Sequence, residues 1–306
     1  RRPHGSGHQP ATGGPLMGRL VGAYATSHTA MMIRKLQPDN DVHAAVHQAF
    51  AQVRAEIDRL SPDVLVVVSS EHLTSFSYDS FPQICVGIGE IATGWGDGGV
   101  ASAEVPLAGA FAAQLLSEGV AAGFDLAFSA NPKIDHAFMA PLTLIRPEMD
   151  IPVVPVFQNA NTEPLPPLWR SAQLGELLRD VITRRPAAET VVVLGTGGLS
   201  HWVGTPEMGQ INSAFDERFL QHVRAGDLGA ILAMKTTDVL AEAGNGAPEI
   251  CNWVTAMAAA SSQKGWGVSE PERTARGPRG VVLAYESVPD WATGIALARL
   301  APEEEP

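Results

Sequence analysis

The sequence predicts an α/β protein: a single domain with a central mixed sheet flanked by helices and an active-site cleft at strand ends. Three observations carry the expectation. Short Val-rich apolar runs recur along the chain, helix-period stretches alternate with them, and polar segments bearing histidine follow several of the runs. Strands that alternate with helices build layered sheets, and such sheets gather ligands in crevices at strand ends.

In chain order, residues 20–25 read as a strand, 41–60 as an amphipathic helix, and 64–69 as a continuous apolar strand bounded by Ser61-Pro62 and Ser70-Glu71. Further strands fall at 83–88, 126–128, 153–157, 191–195 and 281–286, with helices at 106–118, 168–185 and 212–222. The apolar stretch 137–145 follows Asp135, which suits a helix N-cap. Glu249 comes after Pro248 and opens another helix-like segment, where the helix dipole favours an acid. Residues 261–280 turn polar, with Gly265, Gly267, Gly277 and Gly280 among alternating charges. That segment, with Trp266, reads as an exposed loop serving as a lid or an interface.

The chain has 306 residues, 45% of them apolar, enough for one large core over 15–300. Residues 1–14 are polar and rich in Gly and Pro, and read as a disordered tail. A formal charge of −12 disfavours nucleic acid and anionic membrane as partners. No run approaches the roughly 20 apolar residues of a spanning helix. Cys85 and Cys251 lack metal-site or disulfide-framework spacing, which suits a reducing, cytoplasmic setting.

The candidate chemistry lies in the segments after the strands. Thr26-Ser27-His28 and Ser70-Glu71-His72 each follow an apolar run, and Gly195-Thr196-Gly197-Gly198-Leu199-Ser200-His201 follows a third. The last is no phosphate loop, because G-x-x-x-x-G-K-[ST] is absent and Ser200 takes the place of the third glycine in G-x-G-x-x-G. Asp135 is expected to orient the imidazole of His136 beside it. Two imidazoles and a carboxylate hold a divalent metal on one face and leave positions open for substrate and dioxygen. His43 and His47 stand i, i+4 but lack the Glu of H-E-x-x-H, so they read as a solvated helix face.

The ordered set of Ser27-His28, Glu71-His72 with Ser75-Phe76-Ser77-Tyr78-Asp79, Val86-Gly87-Ile88-Gly89, Asp135-His136, the 195–201 segment, Glu249-Ile250 and Pro289-Asp290-Trp291 resembles the class III extradiol catechol dioxygenases. This is the superfamily of the protocatechuate 4,5-dioxygenase catalytic subunit, and the likeness, over about residues 22–297, is greatest to its 2,3-dihydroxyphenylpropionate branch. Carried over residue by residue, the resemblance implies iron(II) held by His28, His72 and Glu249, with His136 and His201 as acid/base residues. It further implies a catechol and dioxygen as substrates, a ring-opened semialdehyde as product, and a homo-oligomer. Thr29-Ala30, Glu71 and Pro248 depart from the family pattern, and none of them removes a ligand.

Lys133, Arg34 and Lys35 are candidates to pair with a substrate carboxylate, a charge-assisted contact contributing roughly 1.5–3 kcal/mol. Two rivals remain open from the residues. A zinc or manganese hydrolase uses the same three ligands with a metal-bound hydroxide; a binding module keeps the pocket without turnover.

Overall fold

Val64–Ser69 is buried at every position, which is why its sequence is continuously apolar rather than alternating. Val64, Val66 and Val68 join one hydrophobic cluster and Leu65 and Val67 join the other, so the strand is covered on both faces. The computed structural model describes residues 17–186, 188–265 and 275–300. The expected tail at 1–14, and Trp266 in the expected 261–280 loop, lie outside the described residues.

The strands are β1 Arg19–Thr26, β2 Val64–Ser69, β3 Ile84–Gly87, β4 Ile91–Gly94, β5 Ala103–Pro106, β6 Ala127–Ser129, β7 Lys133–Ile134, β8 Val153–Gln158, β9 Thr190–Thr196, β10 Gly280–Val288 and β11 Thr293–Leu300. The helices are α1 Met31–Arg34, α2 Asp41–Leu60, α3 Gly109–Ala121, α4 His136–Ile145, α5 Leu168–Thr183, α6 Ser213–Ala225, α7 Leu228–Leu232, α8 Thr236–Ala243 and α9 Ile250–Ala259. Eight strands form one sheet in the order β10-β11-β1-β9-β2-β8-β3-β6. β1, β9, β2 and β8 run parallel at its centre, and β11 and β3 pair antiparallel on either side. Helices α2 and α4 pack on one face; α3, α5, α6 and α9 cover the other. The expected mixed sheet between helices is therefore the observed architecture.

Parallel strands end on the same side of a sheet, and here that side matters. Thr26, Ser69 and Thr196 close β1, β2 and β9 with Thr26 paired to Thr196, so the segments leading to His28, His72 and His201 leave the sheet side by side. Several elements went beyond the expectation. The span 106–118, read as helix, begins as β5 and turns helical at Gly109. β5 belongs to a second sheet, ordered β5-β4-β7, whose strands of two to four residues are too short for a period-2 pattern. β11, α7 and α8 also had no separate expectation.

His43 and His47 correct the reading of a solvated helix face. His43 is buried, stacks on Trp291 with ring centroids 4.3 Å apart, and accepts at Nδ1 from the Gln37 backbone N–H. His47 Nε2 lies 3.0 Å from the Met32 carbonyl. Both serve packing of α2 against the C-terminal segment. Cys85 and Cys251 are buried free thiols, and burial pushes the Cys85 thiol up to about 12.

Candidate metal centre

Glu249 lies in a short 3-10 turn that runs into α9, and its side chain is 1% exposed. Its Oε2 accepts from the Gly198 backbone N–H at 2.9 Å, and its Oε1 faces two imidazoles. His28 Nε2 is 3.3 Å from that oxygen and His72 Nε2 is 3.1 Å from it. His201 Nε2 stands 3.8 Å from Oε2. Gly197 makes room for this approach: its φ is +135°, and a Cβ there would sit 2.6 Å from the Glu249 Cβ.

His136 completes the cluster. Its ring stacks on His72 with centroids 4.5 Å apart, and the donor atoms of His28, His72 and His136 all lie within 4.8 Å of one another. All five residues singled out in the sequence thus lie in one cluster. The side chains of His72 and His136 are 26% and 21% exposed, whereas those of His28 and Glu249 are 2% and 1% exposed, so the cluster meets solvent on the His72–His136 side.

Each imidazole is held by its Nδ1. His72 Nδ1 lies 3.0 Å from Asp135 Oδ2, which also accepts the His72 backbone N–H at 2.7 Å. His136 Nδ1 meets Asp97 Oδ2, while Asp97 Oδ1 accepts the His136 backbone N–H at 2.8 Å. His201 Nδ1 donates to the Leu199 carbonyl at 2.9 Å. His28 Nδ1 lies 3.1 Å from Thr196 Oγ1, which itself lies 2.9 Å from the Ala137 carbonyl. The Thr196 hydroxyl donates its single proton to the Ala137 carbonyl or to the Ser69 hydroxyl 2.7 Å away, and with that proton so placed His28 supplies its own at Nδ1. Partners of this kind fix the tautomer and leave Nε2 free as a ligand or base.

The expected role of Asp135 is corrected here. It grips His72, not the adjacent His136, and its other oxygen caps α4 by accepting from Ala137 N at 2.9 Å. Asp97, the partner of His136, went unnoticed in the sequence. Its signal was the run Gly94-Trp95-Gly96-Asp97-Gly98-Gly99, an acid set among glycines.

Electrostatics separate the groups. Burial disfavours the charge on Glu249, yet the facing His28, His72 and His201 outweigh it and hold the carboxyl well below its usual range. Burial lowers His28 despite the attraction of Glu249. His72 is also penalised by burial, but Asp135 and Glu249 raise it well above an ordinary histidine. A neutral His28 Nε2, buried and without a hydrogen bond, therefore faces an ionised carboxylate across 3.3 Å. Two electron-rich atoms so placed suit a cation between them, so the residues present fit a divalent metal.

Residues 22–284 match the family described as the catalytic LigB subunit of aromatic ring-opening dioxygenase. This chain belongs to the LigB family. LigB members are ring-opening dioxygenases, so the chain is an oxidoreductase of that class. Among LigB relatives, a 2,3-dihydroxyphenylpropionate/2,3-dihydroxicinnamic acid 1,2-dioxygenase of Klebsiella pneumoniae is 27% identical over 316 aligned positions, covering 89% of this chain and 95% of the relative. An enzyme of the same description from Escherichia coli is 27% identical over 319 positions, with the same coverages. A solved structure of an uncharacterized Escherichia coli K12 protein matches with a TM-score of 0.54 at 13% identity, covering 92% of this chain and all of that one, which supports the fold alone. Within this LigB chain, no helix of the described residues is long and apolar enough to cross a membrane.

The three candidate cations occupy different surroundings. Lys133 is exposed, and its backbone bonds the Ser75 hydroxyl. Lys35 Nζ lies 3.4 Å from the Asp290 carbonyl. Arg34 runs beside the Asp97 turn, with its Cδ 3.0 Å from where a Cβ on Gly99 would stand.

Proposed function

We propose that this chain is an iron(II)-dependent extradiol dioxygenase that opens the ring of an ortho-dihydroxy aromatic with both atoms of dioxygen. The observation carrying the reading is the meeting of two imidazole Nε2 atoms on one buried carboxylate oxygen, at 3.3 and 3.1 Å. His28, His72 and Glu249 would hold the ion on one face, which leaves its other positions open. When bound, iron(II) would bring diol and dioxygen together and let electron density from the diol reach the oxygen, the ion itself staying ferrous over a turnover.

The remaining work falls to the chain. His201, protonated at Nδ1 toward Leu199, presents Nε2 to accept a proton from a substrate hydroxyl. His136, held from behind by Asp97, presents Nε2 on the more exposed side of the cluster, takes the proton of the second substrate hydroxyl there and returns it as the ring opens. The closed floor under His28 and Glu249 keeps water from that side of the reacting atoms. Catechols with an acidic side chain are the preferred class, supported by the names of the relatives and by Arg34 beside the Asp97 turn. An Arg34→Ala variant should raise KM for carboxylated catechols roughly 10- to 100-fold, the equivalent of about 1.5–3 kcal/mol, and leave KM for catechol itself unchanged.

We also assign residues 15–300 to the catalytic domain and the chain to the cytoplasm, in keeping with its buried free thiols. Homo-oligomer formation is supported by exposed Phe128 and Val281 on the outermost strands β6 and β10, and light scattering tests it.

A second reading rests on the grouping of His28, His72 and His136, a three-imidazole set that suits zinc. Anaerobic purification, metal analysis and oxygen uptake over a catechol panel separate the two. Stoichiometric oxygen uptake with a yellow product in the iron-loaded protein supports the dioxygenase; zinc-dependent hydrolysis without oxygen uptake overturns it.

A further inference from the structure

The turn between β4 and β5 is built around Asp97. Gly96, Gly98 and Gly99 have φ of +87°, +61° and +90°, left-handed values that residues with side chains rarely adopt. Space is equally short, since a Cβ on Gly98 would lie 2.4 Å from the Ala30 Cβ. The glycines let the turn press against the segment that follows His28, and Asp97 thereby reaches both the backbone N–H and the Nδ1 of His136. The arrangement copies the grip of Asp135 on His72, from a different part of the chain.

We propose that Asp97 is a positioning residue of the reaction, holding His136 as the Nδ1–H tautomer with Nε2 left for the cluster it forms with His28 and His72. The inference rests on the proposed function, because it gives His136 a proton to move. A neutral imidazole carries one N–H, and the partner of one nitrogen decides which atom has it. A carboxylate only accepts, so beside Asp97 the proton stays on Nδ1 and the lone pair on Nε2. A proton taken up at Nε2 leaves from the same atom, so Asp97 orients the carrier and carries nothing itself.

The alternative is that Asp97 merely ties down the first turn of α4 through the His136 backbone N–H. Two variants, Asp97→Asn and Asp97→Ala, decide between them. Long-range 1H–15N spectra of metal-free, 15N-histidine-labelled protein report the tautomer, with the His136 signals assigned from His136→Gln. Wild type should show a protonated Nδ1 and a bare Nε2 at His136, and both variants should gain the Nε2–H form. In iron-loaded enzyme, kcat should fall on the order of 100-fold or more, with iron content, KM and thermal midpoint unchanged. An unchanged tautomer in both variants, or a loss of kcat matched by loss of iron or of thermal midpoint, would overturn the proposal. Should wild type open no catechol ring, the dioxygenase reading falls, while the tautomer measurement, made without metal or substrate, still decides the role of Asp97.

Discussion

Asp135→Asn removes a negative charge from the point where His72 is gripped and leaves the side-chain shape almost intact. In the native protein Oδ2 faces two His72 nitrogens and Oδ1 accepts from Ala137 N. An amide has one oxygen and one NH2, so at least one of these donors meets another donor. Burial opposes ionisation of Asp135, but the adjacent His72 outweighs it and holds the carboxyl at about 2, against an ordinary 3.8. A shift of that size corresponds to about 2 kcal/mol of interaction. The raised His72 is the same interaction seen from the imidazole and is not added again. A depressed carboxyl contributes stability that is complete above its unfolded value and lost as pH falls through the folded one. Urea unfolding of the metal-free protein at pH 6 should therefore show the variant about 2 kcal/mol less stable, with the gap closing below about pH 4. Iron affinity should fall roughly 10- to 100-fold, because the grip on Nδ1 orients a ligand. Wild-type stability together with unchanged iron affinity would refute the reasoning.

Other substitutions divide the site by role. His28→Ala, His72→Ala and Glu249→Ala should each lose iron by metal analysis, whereas His136→Ala and His201→Ala should keep it and lose about 100- to 10,000-fold in kcat. A Cβ on Gly246 would lie 1.9 Å from His201 Nε2, so Gly246→Ala should displace that ring and depress kcat while iron content stays level. Gly197→Ala forces a side chain against Glu249 and should instead lower iron content. Trp291, 1% exposed and stacked on His43, should cost about 3–5 kcal/mol on truncation to Ala, read from urea midpoints and m-values.

The sheet was legible because its central strands are buried on both faces, which leaves continuous apolar runs such as Val64–Ser69. The short strands β4, β5 and β7 were not, since two to four residues carry no period that distinguishes them from loop. Among the site residues, the histidines stood out as polar groups at the ends of apolar runs. Their Nδ1 partners did not, because which carboxylate reaches which ring is settled by tertiary packing. Asp135 sits next to His136 in sequence yet serves His72, 63 residues upstream. His43 misled for a related reason: helical spacing identifies a face, and only the Trp291 ring, far along the chain, turns that face inward.

The scatter of the candidate ligands along the chain has a consequence for how the protein matures. His28 and His72 both precede Glu249 by well over a hundred residues. A growing chain therefore lacks the third candidate ligand until the segments forming β9, which lies between β1 and β2, and α9 have been made. A metal ion arriving early would meet imidazoles without the buried carboxylate that faces them. On the proposed function, such an order makes metal loading a late step of assembly and spares the half-built protein a redox-active ion it could not yet shield.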